Sequence, residues 1–321
     1  MSTRILNLEP DHYSAAARAI LGEIARIDDG PLSRAQLLQR IGNYDAVIVR
    51  FGHRIDREVL TSGRQLRAVA CAATGTDHID AAYAAKSGVA IISLFGESEF
   101  LRSVPASAEH SWALLLALTR RIPAAAASVR KGAWTRDAFR GRDLAGRTLG
   151  IVGCGRIGEK IAAYGSAFGM NVLAFDPLRA TLPAGVERTA DLDAVLRAAD
   201  IVTVHVPLNE TTRNMFGAAQ FAAMRNGAVL VNTARGAIVD EAALLAALES
   251  GKLAGAALDV LADEQPSAVA ANKLVAYAAA HENLIITPHI AGATADSMAA
   301  TEIFVARKLV EFLKTAQVRS A

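Results

Sequence analysis

Cysteine is scarce: Cys71 and Cys154 are the only two in 321 residues. That number and spacing support neither a disulfide framework nor a metal site, and they suit a reducing cytoplasm. An excess of one charge is also missing. The 34 basic and 32 acidic residues leave a net charge of +2 without a long charge run, so no nucleic-acid surface is expected. Long apolar runs are absent too. The run around Trp112–Leu118 is too short to cross a bilayer and Arg120-Arg121 soon follow it, so no membrane contact is expected. Met1–Pro10 lacks the apolar core of a secretory signal. There are no repeats, and the one biased tract is the alanine-rich 123–128. What remains is a globular balance, 52% hydrophobic and 21% charged, at a length that suggests two domains.

Short apolar segments alternate with helical ones. Strands are predicted at 4–8, 46–50, 66–71 and 89–93, with a helix at 12–21. A helix follows at 106–121, too apolar to be half exposed, and then a polar, irregular stretch at 131–143. From Leu149 the alternation restarts. Strands are predicted at 149–153, 172–175, 201–206, 228–233, 256–260 and 284–287, with helices such as 157–168 and 241–249 between them. Alternation of this kind predicts doubly wound parallel sheets, and six strands are expected in the second one. A long amphipathic helix at 295–314 closes the chain and is free to return to the N-terminal domain.

The strand at 149–153 runs into Gly153-x-Gly155-x-x-Gly158, which opens a helix, and Asp176 ends the next strand 18 residues past Gly158. This is the dinucleotide-binding fingerprint in its proper setting. Gly153 permits a tight turn, Gly155 lets the backbone approach a pyrophosphate, and Gly158 lets helix and strand pack. The helix N-terminus offers free N–H groups to the phosphates. Asp176 is placed to accept hydrogen bonds from the adenosine ribose and to repel a 2′-phosphate, so NAD is favoured over NADP. Cys154, inside the loop, reads as a small filler.

Three further motifs lie near strand C-terminal ends, where ligands of open α/β sheets bind. Arg235-Gly236 presents a planar fork suited to a carboxylate or to a surface salt bridge. Asp259 ends a buried strand, and Glu264 sits in the loop beyond it. His289 follows Pro288 in restricted geometry. Separately these could be loop acids and a core histidine. Together they form the set a hydroxy-acid oxidoreductase needs: Arg235 to grip and polarise, His289 to exchange a proton, and Glu264 to hold the other imidazole nitrogen.

Asn232–Asp240, Leu258-Asp259-Val260 with Glu264, and Thr287–Gly292 resemble the signatures of the D-isomer-specific 2-hydroxyacid dehydrogenase family, most closely its D-3-phosphoglycerate dehydrogenase branch. The resemblance spans nearly the whole chain. It implies catalytic Arg235, Glu264 and His289. It implies NAD contacts at Gly153, Gly155, Arg156, Ile157, Gly158, Asp176, His205, Val206, Pro207, Thr233, Ala234, Asp259 and Gly292. It implies a substrate loop at 73–80, with N–H groups around Thr74 and Gly75 meeting a carboxylate, and Arg50 near a substrate phosphate or in a strand-end salt bridge. It also implies a substrate domain of 1–103 and 291–321, an NAD-binding domain of 104–290, an active site in the cleft between them, and a homodimer through the helix at 106–121 and the stretch after it. A glyoxylate or hydroxypyruvate reductase is the alternative within this class. An NAD-sensing binding protein, like the transcriptional corepressors that share these motifs, is the alternative outside it.

The chain departs from the family pattern in three places. Segment 93–105 is longer and more charged than the usual short loop, and Glu97, Glu99 or Arg102 could line the cleft. An extra residue precedes Pro266, which makes Asp263 a rival to Glu264. The chain stops at Ala321, so no C-terminal regulatory domain is expected.

Overall fold

The structure is a computed structural model and describes residues 3–318. Two compact units emerge, one of residues up to Ser103 together with those from Thr294, the other Val104–Ala293.

The first unit is a five-stranded parallel sheet in the order β2-β1-β3-β4-β5. Its strands are β1 (Thr3–Asn7), β2 (Ala25–Asp29), β3 (Ala46–Ile48), β4 (Ala68–Ala70) and β5 (Ala90–Ile92). Strand β2 is additional to the predicted set. Its sequence, Ala-Arg-Ile-Asp-Asp, has no apolar run, because as an edge strand it leaves no residue fully buried. Helix starts are marked by Ser14, Ser33, Asp56 and Asp80, each accepting a first-turn N–H. The final helix, Ala295–Val318, packs against Ala15–Gly22, β4 and β5 within this unit.

Segment 93–105 is not a plain loop. It carries the short helix Ser98–Arg102, and of its charges Glu97 is engaged within its own unit. Glu97 is ion-paired with Lys308, and Phe100 stacks on Phe304 at 4.1 Å between ring centroids. Glu99 and Arg102 are exposed. The added residues thus fasten the final helix to the sheet's last connection.

The second unit is a seven-stranded parallel sheet in the order β12-β11-β10-β9-β6-β7-β8. Its strands are β6 (Thr148–Val152), β7 (Asn171–Phe175), β8 (Val186–Arg188), β9 (Ile201–Val204), β10 (Ala228–Asn232), β11 (Leu253–Leu258) and β12 (Leu284–Ile286). The order reverses between β6 and β9, the switch point where open α/β sheets bind ligands. The expected count of six falls one short. The seventh strand, β8, is a three-residue edge with two exposed positions, too short and polar to show in the sequence.

The central strands are apolar on both faces because helices cover both. Leu149, Ile151, Ile201, Val229, Val231 and Ala257 pack on one side with Trp112, Leu115 and Leu118. Their neighbours Val152, Val202, Val204, Leu230, Ala256 and Leu258 pack on the other with Phe216, Phe221 and Leu244. The helix Ala106–Thr119 buries Ser111, Trp112, Leu114, Leu115 and Leu118, while Leu116 is only half-buried and Ala113 is exposed. The alanine-rich tract is part of a helix, Ile122–Arg130. No single helix among the described residues is long and apolar enough to cross a membrane.

Candidate active site

The glycine loop follows β6. Gly153 has φ +89°, and a Cβ there would lie 2.8 Å from the His205 carbonyl. Strand β9's exit therefore presses against the turn, and only glycine fits. A Cβ on Gly158 would lie 2.3 Å from the Gly153 oxygen, which sets how closely the helix Arg156–Ala167 sits on the loop. Gly155 faces open space. Beside it Arg156, first residue of that helix, is half-buried and has no hydrogen bond or ion pair among the described residues, and burial pulls its guanidinium down from its usual range. An open backbone cradle, a helix N-terminus and an unpartnered guanidinium fit a pyrophosphate.

Asp176 follows β7. Its carboxylate accepts the Cys154 N–H at 2.9 Å and the Leu178 N–H at 3.0 Å, so it fastens the glycine loop to its own turn. His205 and Val206 leave β9 directly against Gly153, and Pro207 follows them, exposed. His205 donates or accepts at 2.8 Å with the Thr203 hydroxyl, and burial drives its imidazole down to about 3, so it is neutral.

The loop after β10 is shaped by Asn232. Its buried amide accepts the Ala234 N–H at 3.0 Å and donates to the Arg235 carbonyl at 3.0 Å. Thr233 is buried and shares a hydroxyl contact with Ser111 at 2.6 Å. Arg235 is half-buried, and its guanidinium donates to the Ala234 carbonyl at 2.7 Å. A Cβ on Gly236 would sit 1.9 Å from the Leu261 carbonyl carbon. The arginine's turn is therefore stacked on the chain that leads to Glu264.

His289 follows β12 with φ +55°, a left-handed conformation that costs a non-glycine residue roughly 1–2 kcal/mol. What holds it there is Asp259, which is fully buried. The Asp259 carboxylate accepts the N–H groups of Ile290 at 2.9 Å and Ala291 at 2.7 Å and the Thr287 hydroxyl at 2.5 Å. The His110 Nε2 lies 3.3 Å from it and 3.0 Å from the Thr287 hydroxyl. The Asp259 carbonyl takes the His289 N–H at 2.8 Å. One aspartate thus fixes the histidine's backbone on both sides.

The His289 Nδ1 lies 2.7 Å from a Glu264 carboxylate oxygen, with the side chains 22% and 37% exposed. A carboxylate only accepts, so Nδ1 carries the proton and Nε2 is the ring's acceptor nitrogen. The second Glu264 oxygen accepts the Leu261 N–H at 3.3 Å. Asp263 instead accepts the Gln265 N–H at 3.0 Å. Gly292, just beyond, is exposed. Sequence reading missed His110, Thr287 and Asn232 as supports. Their only signal is a polar residue in an otherwise apolar setting.

Arg50, Thr74 and Gly75 belong to the first unit. Thr74 and Gly75 lie in the loop after β4, and the N–H groups of Thr74, Gly75 and Thr76 have no hydrogen-bond partner among the described residues. Three such donors in a row suit an anion. Arg50 is committed elsewhere. It donates to the carbonyls of Glu9 and Asp11 at 2.8 Å each and faces the Glu9 carboxylate at 3.8 Å.

Residues 112–291 match the NAD binding domain of the D-isomer specific 2-hydroxyacid dehydrogenases. A D-3-phosphoglycerate dehydrogenase of Archaeoglobus fulgidus is 38% identical over 90% of this chain and 53% of its own length. A hydroxypyruvate reductase of Thermotoga maritima is 34% identical over 88% of this chain and 89% of its own. The crystal structure of a D-lactate dehydrogenase from Aquifex aeolicus, complexed with NAD and lactic acid, superposes with a TM-score of 0.84 at 27% identity, covering 98% and 96% of the two chains. The chain spans about half the length of the phosphoglycerate dehydrogenases it matches.

Proposed function

The chain belongs to the D-isomer specific 2-hydroxyacid dehydrogenase family, and from that premise we propose that it interconverts a D-2-hydroxy acid and its 2-keto acid with NAD. The observation that carries this is His289, held on a left-handed backbone with its Nδ1 tied to Glu264, the arrangement of an oriented proton-exchanging imidazole. Bound NAD supplies a hydride acceptor or donor for the carbon that carries the oxygen.

The remaining chemistry belongs to the protein. Arg235 holds the substrate carboxylate through its fork and polarises the adjacent carbonyl. The His289 Nε2 takes the hydroxyl proton in one direction and returns it to the keto oxygen in the other. Glu264 keeps the imidazole in the right tautomer and stabilises its charged form. In the first unit the Thr74 and Gly75 N–H groups suit a carboxylate, and in the second the fingerprint residues from Gly153 to Gly158 carry the pyrophosphate.

Within the class, 3-phosphoglycerate and the smaller hydroxypyruvate and glyoxylate are the substrates to separate. The engagement of Arg50 by Glu9 and two carbonyls favours the unphosphorylated acids. NADH oxidation against phosphohydroxypyruvate, hydroxypyruvate, glyoxylate and pyruvate tests both levels. Turnover of none of them refutes the dehydrogenase reading. Phosphohydroxypyruvate preferred, with that preference lost in Arg50→Ala, refutes the smaller-substrate reading.

The reading also includes a cytoplasmic homodimer. The helix Ile122–Arg130 buries no residue, and Ile122, Val129 and Trp134 are 52%, 51% and 88% exposed, a face suited to a second copy. Sedimentation of Trp134→Glu against the wild type checks it, with a shift to monomer expected.

A further inference from the structure

Asp176 is not alone at the adenosine end of the NAD site. Three residues beyond it, Arg179 turns back over the glycine loop. Its Nη1 donates to the Cys154 carbonyl and to a Glu159 carboxylate oxygen, the latter at 2.6 Å. Glu159 lies in the first turn of the helix Arg156–Ala167. Arg188 stiffens the same turn from β8 by donating to the carbonyls of Asp176 at 3.3 Å, Arg179 at 2.8 Å and Ala180 at 3.1 Å. The Arg179 and Glu159 side chains are 31% and 33% exposed, so a ligand can reach both.

Taking the NAD reading above as its basis, we propose that Glu159 is a second determinant of coenzyme choice, because it ties down Arg179, a guanidinium otherwise placed to bind a 2′-phosphate. The charges make the case. Arg179 is the cation closest in sequence to the carboxylate that meets the ribose, on a backbone fixed by Arg188. A guanidinium beside a ribose 2′ position is a phosphate receptor by geometry and charge. Here it is bonded to one carboxylate, Glu159, and lies within electrostatic range of another, Asp176. Arg179 is thus held by one acid and faces a second, while the turn's other guanidinium, Arg188, is directed at backbone carbonyls, an arrangement that accepts a hydroxyl and disfavours a phosphate. Removing Asp176 alone leaves Arg179 still bonded to Glu159. Releasing Arg179 requires the loss of Glu159 as well.

The test is equilibrium binding of NADH and NADPH, followed by nicotinamide fluorescence, for wild type, Glu159→Ala, Asp176→Asn, the double variant, and the double variant carrying Arg179→Ala. The Asp176→Asn change keeps an acceptor for the Cys154 N–H, so the loop keeps its shape. The expected result is a wild type that prefers NADH. Glu159→Ala narrows that preference roughly tenfold. The double variant gains a further 10–100-fold for NADPH, the range of one charge-assisted hydrogen bond. Arg179→Ala abolishes the gain while NADH binding persists. An unchanged NADPH-to-NADH ratio on removing Glu159 in both backgrounds overturns the proposal, as does a gain that survives Arg179→Ala. A wild type that binds neither dinucleotide overturns the NAD reading itself.

Discussion

The loop after β6 and the loop after β12 both prepare a ligand site at the carboxyl edge of one sheet, by opposite means. The first is shaped by side chains that are missing. Gly153 and Gly158 let His205, the loop and the following helix close on each other at distances a methyl group would forbid. The second is shaped by one side chain that is present. Asp259, buried 30 residues before His289, gathers two N–H groups, a hydroxyl and an imidazole, and so holds an unfavourable backbone in place. Omission suits a surface that must admit a large anion. A satisfied buried acid suits one atom that must stay put.

The comparison breaks most visibly at the atom itself. His289→Ala removes the nitrogen proposed to exchange the proton and leaves the glycine loop untouched. Turnover of the preferred keto acid should fall between roughly 100- and 10,000-fold, the usual worth of general acid–base catalysis. NADH affinity should hold. Steady-state kinetics with fluorescence binding checks both, and full activity would remove His289 from the reaction. Asp259→Ala attacks the same loop from below. It strands the buried N–H group of Ala291, at about 1–3 kcal/mol, and the part-buried one of Ile290. Chemical denaturation should show a loss of roughly 3–5 kcal/mol, with turnover falling as the His289 backbone relaxes. A variant of wild-type stability would mean that the loop holds its own shape.

The omission-built loop breaks by addition. Gly158→Ala places a methyl 2.3 Å from the Gly153 oxygen, and overpacking of this kind costs about 1–3 kcal/mol. The helix must back away, so NADH binding should weaken while His289 and Glu264 stay paired. If stability and NADH affinity both match the wild type, the close approach has no importance.

The same contrast explains what could be read in the sequence. The glycine loop was legible because its constraints are local: an apolar strand, three glycines and a following acid lie in one short stretch. Strands β6, β9 and β10 were legible because burial on both faces makes them apolar throughout. Strands β2 and β8 were not, because an edge strand carries little apolar pattern. Arg235, Glu264 and His289 stood out as types at strand ends, yet the part Asp259 plays beneath them depends on contacts between separate strands, which no local pattern encodes. The charges of Glu97 and Arg50 left two readings open for a related reason. A charged residue reads as available for a ligand, and only the fold shows Lys308 and the Glu9 carboxylate beside them.

The smallest expected effect sharpens the comparison from the side of the glycine loop. His205 is held neutral by burial, down to about 3, whereas an unfolded histidine titrates near 6.5. Between those two values the unfolded chain binds a proton at this position and the folded chain does not. Stability therefore rises with pH across the window, and acidification from pH 6.5 removes at most about 1.4 kcal/mol per pH unit through this group. His205→Gln keeps a side-chain partner for Thr203 but takes up no proton. Urea midpoints measured from about pH 6.5 to pH 4 should slope less steeply for the variant than for the wild type. Parallel slopes would mean that water reaches the ring, and that the wall Gly153 rests against is not sealed as its contacts imply.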